Sequence, residues 1–423
     1  MRKLLLFQIV TFCSVALFAQ QTEPRAVYLV DGNTDKEIYR AQVTLESFGT
    51  DESVVCATNG TKLSLSSMRL NKTAGASTIN NGSKRNGVNA VALAFSGSQL
   101  SMYNCNVVSH VASADAIAAV GNGSVVVADE PNITTSRDNA ACLNVYDGAK
   151  ATITDARVST SSLSCPAFLA QRGGTINVTN ATGELRGTDS PIAYSSGNIN
   201  ISGGRILTFN SHIATVNGAG KLYMDEVLYY GYKYYGFQLY NNGKDTQNSE
   251  TGLLDIKNST IVIAEGPMFY VTNSSAEVNL EKVKFGFAKN APLAQIEAGD
   301  WGESGNNGGH LTLKATDQKL EGDINVDAIS SVSFEMNDKV SYKGAINSGK
   351  NGVASVVMKK GSSWTVTSDS YLESIEFDIP IEKGIKMINS KGNNIYYDAS
   401  NEANAPLQGK SYPLKGGGSL LTY

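Results

Sequence analysis

Residues 173–183, GGTINVTNATG, alternate apolar and polar side chains for one short strand and then reach another glycine. Ile176 and Val178 fall on one face, Thr175 and Asn177 on the other, the period-two signature of an extended chain. The phrase then returns. GSQLSM begins at Gly97, GSVVVA at Gly123, GAKATI at Gly148, GNINIS at Gly197 and GKLYM at Gly220, so the glycines stand 26, 25, 25, 24 and 23 residues apart. Looser copies extend the pattern from GTKLSL at Gly60 to GSSWTV at Gly361. Every copy carries an apolar pair at i and i+2, among them Leu100/Met102, Ala151/Ile153, Ile176/Val178, Ile199/Ile201 and Trp364/Val366. Two further apolar pulses commonly follow, as in ARVST (156–160) and AFLAQ (167–171).

Three short strands in about 24 residues make one coil of a β-solenoid, each strand pairing with its equivalent in the next coil about 4.8 Å away. The expected fold is all-β: a right-handed single-stranded parallel β-helix of about 13 coils, each of roughly 22–26 residues, capped at both ends. The hand follows the general preference for right-handed parallel crossovers. Ile176 would be covered by Ile153 from one neighbouring coil and Ile201 from the other, with Val178 and Ile199 in the same core. Propeller blades need about 40 residues each, and the LxxLxLxxN of leucine-rich repeats is absent. A stack of sandwiches leaves the joint return of glycine and pattern unexplained. No helix is expected. Where the interval grows, loops must leave the coil, at 71–87, 229–252 and 297–309.

The ends depart from the repeat. Met1-Arg2-Lys3 followed by the apolar run Leu4 to Phe18 reads as a secretory signal peptide over 1–19, too short for a membrane span. Residues 20–55 read as an N-terminal cap, 56–380 as the parallel β-helix and 381–423 as a C-terminal β cap. The chain is therefore expected outside the cytoplasm, whether periplasmic, cell-surface or secreted, with no transmembrane span in its mature part.

Composition narrows the function classes. With 35 Lys plus Arg against 39 Asp plus Glu and only 17% charged residues, nothing attracts nucleic acid. Gly is plentiful at 41 residues and Pro scarce at 9, without the strict triplet of collagen. Export permits disulfides, but Cys56, Cys105, Cys142 and Cys165 are too sparse for a disulfide scaffold and read mostly as small buried apolar groups. Their pairing stays open.

INVDAISSVSFEMNDKVSYKGAINS, GSSWTVTSDSYL, NIYYDAS and LQGKSYPLKGGGSL, together with glycine-marked coils such as NITTSRDNAACLNVYDGAKATIT, carry a resemblance. Over roughly 55–423 the chain is similar to the β-helical passengers of pertactin-like autotransporters and related adhesin-like exported proteins, with Trp364, Asp369 and Leu372 at family-like positions. The resemblance implies a surface-displayed stalk or adhesive module, usually without enzymatic activity, whose partners would be glycans or host surface proteins. The chain ends at Tyr423 without a translocator barrel, so self-export by that route is not expected.

Three chemistries bear on this scaffold. His110, His212 and His310 lie about four coils apart, so no metal site is expected among them. Asp129, Asp155 and Glu184, near Arg157 and Arg205, could stack along one face and supply the paired carboxyls of a polysaccharide hydrolase or lyase. Scattered Asp and Asn could at most hold calcium weakly, and no other cofactor is implied. The strongest anomaly is KLYMDEVLYYGYKYYGFQLY (221–240), which holds 7 of the chain's 19 tyrosines. Its members Tyr229, Tyr230, Tyr232, Tyr234, Tyr235 and Phe237 are the ligand-binding candidates, because exposed rings suit sugar faces and protein partners. A solely structural stalk needs none of them.

Overall fold

A computed structural model describes residues 24–32, 35–36, 43–78, 87–243 and 251–423. Three long parallel sheets run along the chain, of 12, 14 and 10 strands, followed by two sheets of four strands each. Within the sheets each strand pairs with the strand one coil away, so the chain winds as a single-stranded parallel β-helix of roughly 15 turns. That exceeds the expected 13. Parallel pairing already starts with Arg25–Asp31 against Glu52–Thr58, and it ends only with Ile395–Tyr397 against Ser419–Thr422.

The short alternating phrases form the second sheet, with alternate side chains buried. Thr175–Thr179 is a typical member. It pairs with Lys150–Thr154 on one side and Asn198–Ser202 on the other. The register corrects one detail of the expected core. Ile176 stacks between Ala151 and Ile199, while Val178 stacks between Ile153 and Ile201. Residues two apart point the same way but stand in separate columns, so Ile153 and Ile201 cover Val178 and not Ile176. All six of these apolar residues are buried.

One corner explains how so short a strand can turn. After most second-sheet strands comes a residue with left-handed backbone, including Asn104, Glu130, Asp155, Asn180 and Asn258. Its amide donates to a carbonyl of the next coil, as Asn180 does to Ser202 at 2.9 Å. Asn and Asp tolerate that conformation best among non-glycines. The glycine series, in contrast, marks two different positions. Gly97, Gly123, Gly148 and Gly173 have φ between +75° and +81°. Gly197 lies one residue further on and is required for a different reason: a Cβ there would sit 2.4 Å from the Gly174 carbonyl oxygen. The shift adds one residue to the glycine interval there, which is 24 although the strands beginning at Thr175 and Asn198 start only 23 residues apart.

First-sheet strands such as Ala92–Phe95 and Phe237–Tyr240 are buried on both faces. Their outer side is roofed near the N-terminal end by a second apolar cluster containing Cys56, Val88, Leu93, Phe95 and Val120. All four described cysteines are free thiols and buried. Burial pushes the Cys56 thiol up to about 12.

The excursions also differ from expectation. Residues 228–240 are no loop: Leu228–Gly231 and Phe237–Tyr240 are regular strands, and the chain leaves the coil only after Tyr240. Parts of the expected 71–87 and 229–252 loops lie outside the described residues. The 297–308 excursion folds back, held by the Asn307 amide, which donates to the Gly299 and Trp301 carbonyls at 2.8 and 3.0 Å.

Helix occurs where none was expected, at Ile381–Gly384, with 3-10 turns at Ile385–Met387 and Glu402–Leu407. The last turn closes an open sheet edge. Asn404, buried, accepts from the Ile375 amide at 2.9 Å and donates to the Glu373 carbonyl at 2.9 Å, standing in for the absent next strand. The final sheet ends on the antiparallel pair Tyr412–Pro413 against Leu420 and Ser419. Pro413 lacks the donor that would recruit a further strand. No helix among the described residues is long and apolar enough to cross a membrane.

Candidate functional site

The outward column of the first sheet runs Leu169, Tyr194, Thr215, Gln238, Tyr270, each on the next coil. The N-terminal end of this face is apolar and roofed. From Tyr194 onward its side chains are polar-tipped, and a cleft of about 340 Å³ opens over them. Tyr194, Thr215 and Gln238 form its floor. The corners that precede successive first-sheet strands form one wall, contributing Ser164 and Pro166, Asp189 and Pro191, His212, then Tyr234 and Tyr235. Tyr240 and Trp301 form the other.

Each aromatic is placed by its coil. Tyr235 stacks on Tyr270 of the following coil, with ring centroids 5.1 Å apart, and its other neighbour is the His212 ring at 5.1 Å. Trp301 is carried by the 297–308 excursion and laid against Tyr240 at 4.7 Å. The following residue, Gly302, has φ +82°, and a Cβ there would meet the buried Asn273 side chain at 2.1 Å. The turn that presents the indole thus depends on a glycine.

Apart from the Asp189 carboxylate, the described polar side chains lining the cleft are uncharged. His212 is 2% exposed, and burial drives its imidazole down to about 3, so the ring is uncharged at physiological pH. Its Nε2 shares a hydrogen bond with the Thr215 hydroxyl, and Thr215 donates to Gln238 Oε1 at 3.5 Å. Burial, and then the Asp189 carboxylate, push the Tyr235 hydroxyl well above its ordinary range. The Tyr194 and Tyr240 hydroxyls are 2.8 Å apart, with the Asn217 amide donating to Tyr194 at 2.9 Å. Neutral donors and acceptors between aromatic rings are the equipment of a sugar-binding or other small-ligand site.

His212 also makes the fold acid-sensitive. Its folded pKa lies below the unfolded value, so between about pH 6.5 and 3 the unfolded chain binds a proton that the folded chain refuses. Stability is therefore expected to fall as pH drops through that window, approaching ~1.4 kcal/mol per unit from this group. Urea unfolding at pH 7, 6 and 5 checks it: His212→Asn should lose less stability over the interval than the native chain, and equal losses would contradict the assignment.

The structure divides the sequence candidates. Tyr234 and Tyr235 enter the cleft. Tyr229 and Phe237 turn into the core at 0% and 1% exposure and present nothing to a ligand, because alternate residues of these strands face inward. Tyr230 lies on the outer face of the third sheet under Arg205, and Tyr232 stacks on Phe209 at 5.3 Å, both away from the cleft lining. Sequence reasoning missed Tyr194, His212, Gln238 and Trp301 as partners. Trp301 stood in an expected loop, and that was its only signal.

The carboxylates do not share a column. Asp129 ends a second-sheet strand opposite Thr154, Asp155 occupies the left-handed corner after the next strand, and Glu184 sits in the third sheet opposite Ser159. Glu184 is ion-paired to Arg186, and Arg157 and Arg205 flank Thr182 in that same sheet. Stacked coils align equivalent positions, and these three are not equivalent. Of the other histidines, His110 and His310 are exposed and bond to Ser136 and Ser331. Among the described residues no group of three or more His, Cys, Asp or Glu is arranged to hold a metal ion.

No family model, no curated protein and no solved structure matches the chain, which is by its architecture a β-solenoid protein.

Proposed function

We propose that this chain is an exported, non-catalytic β-helical module that binds carbohydrate in the aromatic cleft between the first sheet and the 297–308 excursion. The observation that carries the reading is the convergence of Tyr234, Tyr235, Tyr240 and Trp301 over the uncharged floor of Tyr194, Thr215 and Gln238. Pyranose rings offer an apolar C–H face and equatorial hydroxyls, and the cleft meets both needs. A concave site of about 340 Å³ suits one or two sugar units better than a flat protein surface. The dispersal of Asp129, Asp155 and Glu184 weighs against the hydrolase or lyase alternative. The signal-like head and the likeness to pertactin-type passengers favour display at the cell surface.

Incubation with a polysaccharide panel tests this, with binding and release of new reducing ends read in parallel. The expected result is saturable binding of at least one glycan without turnover. Turnover would make the chain an enzyme. Silence in both channels would leave a structural stalk, and capture of a host protein at another face would move the working surface elsewhere.

A further inference from the structure

Behind the wall formed by Tyr240 and Trp301 run three buried asparagines, Asn217, Asn273 and Asn307. Asn217 lies in register with Tyr240 on the preceding coil. Its Nδ2 donates to the Tyr194 hydroxyl at 2.9 Å, and its Oδ1 accepts from the Asn242 amide at 3.1 Å. Asn273 directly follows Thr272, the partner of Tyr240 on the next coil. Its Nδ2 reaches back to the Asn241 and Gly243 carbonyls at 2.6 and 3.0 Å. Its backbone amide reaches forward to the Asn307 carbonyl at 3.0 Å. Asn307 in turn donates to the Gly299 and Trp301 carbonyls, closing the excursion on itself. Hydrogen bonds and the short 241–243 segment thus connect the floor at Tyr194 with the backbone that carries Trp301.

Asn273 is the member that joins three coils. Two carbonyls face its one side-chain nitrogen, so the orientation of the amide is fixed and only an N–H donor suits that end. Gly302, beside Trp301, is packed on the same side chain, where a Cβ would come within 2.1 Å of Oδ1. The turn after Tyr240 and the turn that presents Trp301 are therefore both built against one buried amide. Resting on the carbohydrate-binding reading, we infer that Asn273 is a positioning residue of the cleft: fully buried, it touches no ligand, and it fixes Tyr240 and Trp301 relative to each other before any ligand arrives. Rings placed in advance bind without the ordering cost of recruiting a loop.

Asn273→Asp tests this with little change of shape. Aspartate tolerates the φ of +47° found here, but it turns a carboxylate oxygen toward the two carbonyls in place of the donor. Fluorescence of the ligand-free protein supplies the first readout. The chain has two tryptophans, and Trp364 is fully buried while Trp301 is half-buried, so a change in solvent access reports Trp301. In the folded variant, with far-UV circular dichroism as in the native chain, emission should shift to the red and acrylamide should quench it more steeply. Glycan affinity, read by calorimetry, should fall about tenfold. Gly302→Ala, confined to the excursion, should reproduce both changes should Asn273→Asp fail to fold. Asn132→Asp, the same chemical change on an exposed third-sheet position, should move neither. A residue that served stability alone would lower the unfolding midpoint and leave Trp301 of the folded chain as it was. An unmoved Trp301 signal, or a moved signal with native affinity, would overturn the positioning role and leave carbohydrate binding standing. A moved signal in a protein whose native form binds no glycan would sink the binding reading while Asn273 still fixes the wall.

Discussion

Replacing Trp364 by alanine should lower the unfolding free energy by about 3–5 kcal/mol, the usual cost of emptying a large aromatic site in a packed core. The side chain is fully buried between Tyr342 of the preceding coil, whose ring lies 6.0 Å away, and Ile388 of the next. Its Nε1 donates to the Gly344 carbonyl at 2.8 Å, and that oxygen would lose its partner. The neighbourhood cannot collapse to fill the space. Tyr342 is itself fixed by donating to the Gly322 and Ala345 carbonyls at 3.0 Å, and Gly344 is packed against the Gly322 carbonyl oxygen. Trp364→Phe should cost less, and the difference from alanine separates ring volume from the indole hydrogen bond. Urea unfolding followed by circular dichroism is the measurement. Because each coil touches mainly its neighbours, the alanine variant should also melt its C-terminal coils before the rest, giving a broadened or two-step transition. A loss below ~1 kcal/mol in a single sharp transition would contradict this account of the core.

Removal of a cleft aromatic should be the largest effect on binding. Trp301→Ala and Tyr234→Ala are each expected to weaken glycan affinity by about tenfold to a hundredfold, as for central aromatic anchors in other recognition sites. Tyr234 is 48% exposed and Trp301 is carried on an excursion, so neither truncation empties the solenoid core, and circular dichroism should be unchanged. Calorimetry is the appropriate readout, since Trp301→Ala removes the fluorophore. Tyr230→Ala and Tyr232→Ala are the controls. They come from the same tyrosine-rich stretch but lie outside the cleft lining, and should bind as the native chain does. If those controls lose binding and the cleft variants retain it, the working surface is the third-sheet face instead.

How far the sequence could be read depended on whether a feature repeats. The i, i+2 apolar pairs and the interval of 23 to 26 residues were enough for the solenoid, because every coil faces the same packing problem and solves it with the same spacing. Trp364 could be recognised as core on that ground alone. The two-residue offset between the Ile176 and Val178 columns was less legible, since both residues satisfy the same alternation. The carboxylates Asp129, Asp155 and Glu184 looked alignable from their spacing, but equivalence within a coil is set by the corners, where one extra residue moves a side chain to another station.

The amino-acid sequence by itself therefore determined the winding, the strand that lines the core and the stretch richest in tyrosine. Only the tertiary structure decided which rings meet. Tyr194, His212 and the pair Tyr235 and Tyr240 come from three successive coils and Trp301 from an excursion two coils beyond Tyr240, brought together by stacking along the axis and by a loop folded back over it. Periodicity describes what one coil shares with the next, whereas this cleft is made from what each coil does differently, and local alternation carries no record of that.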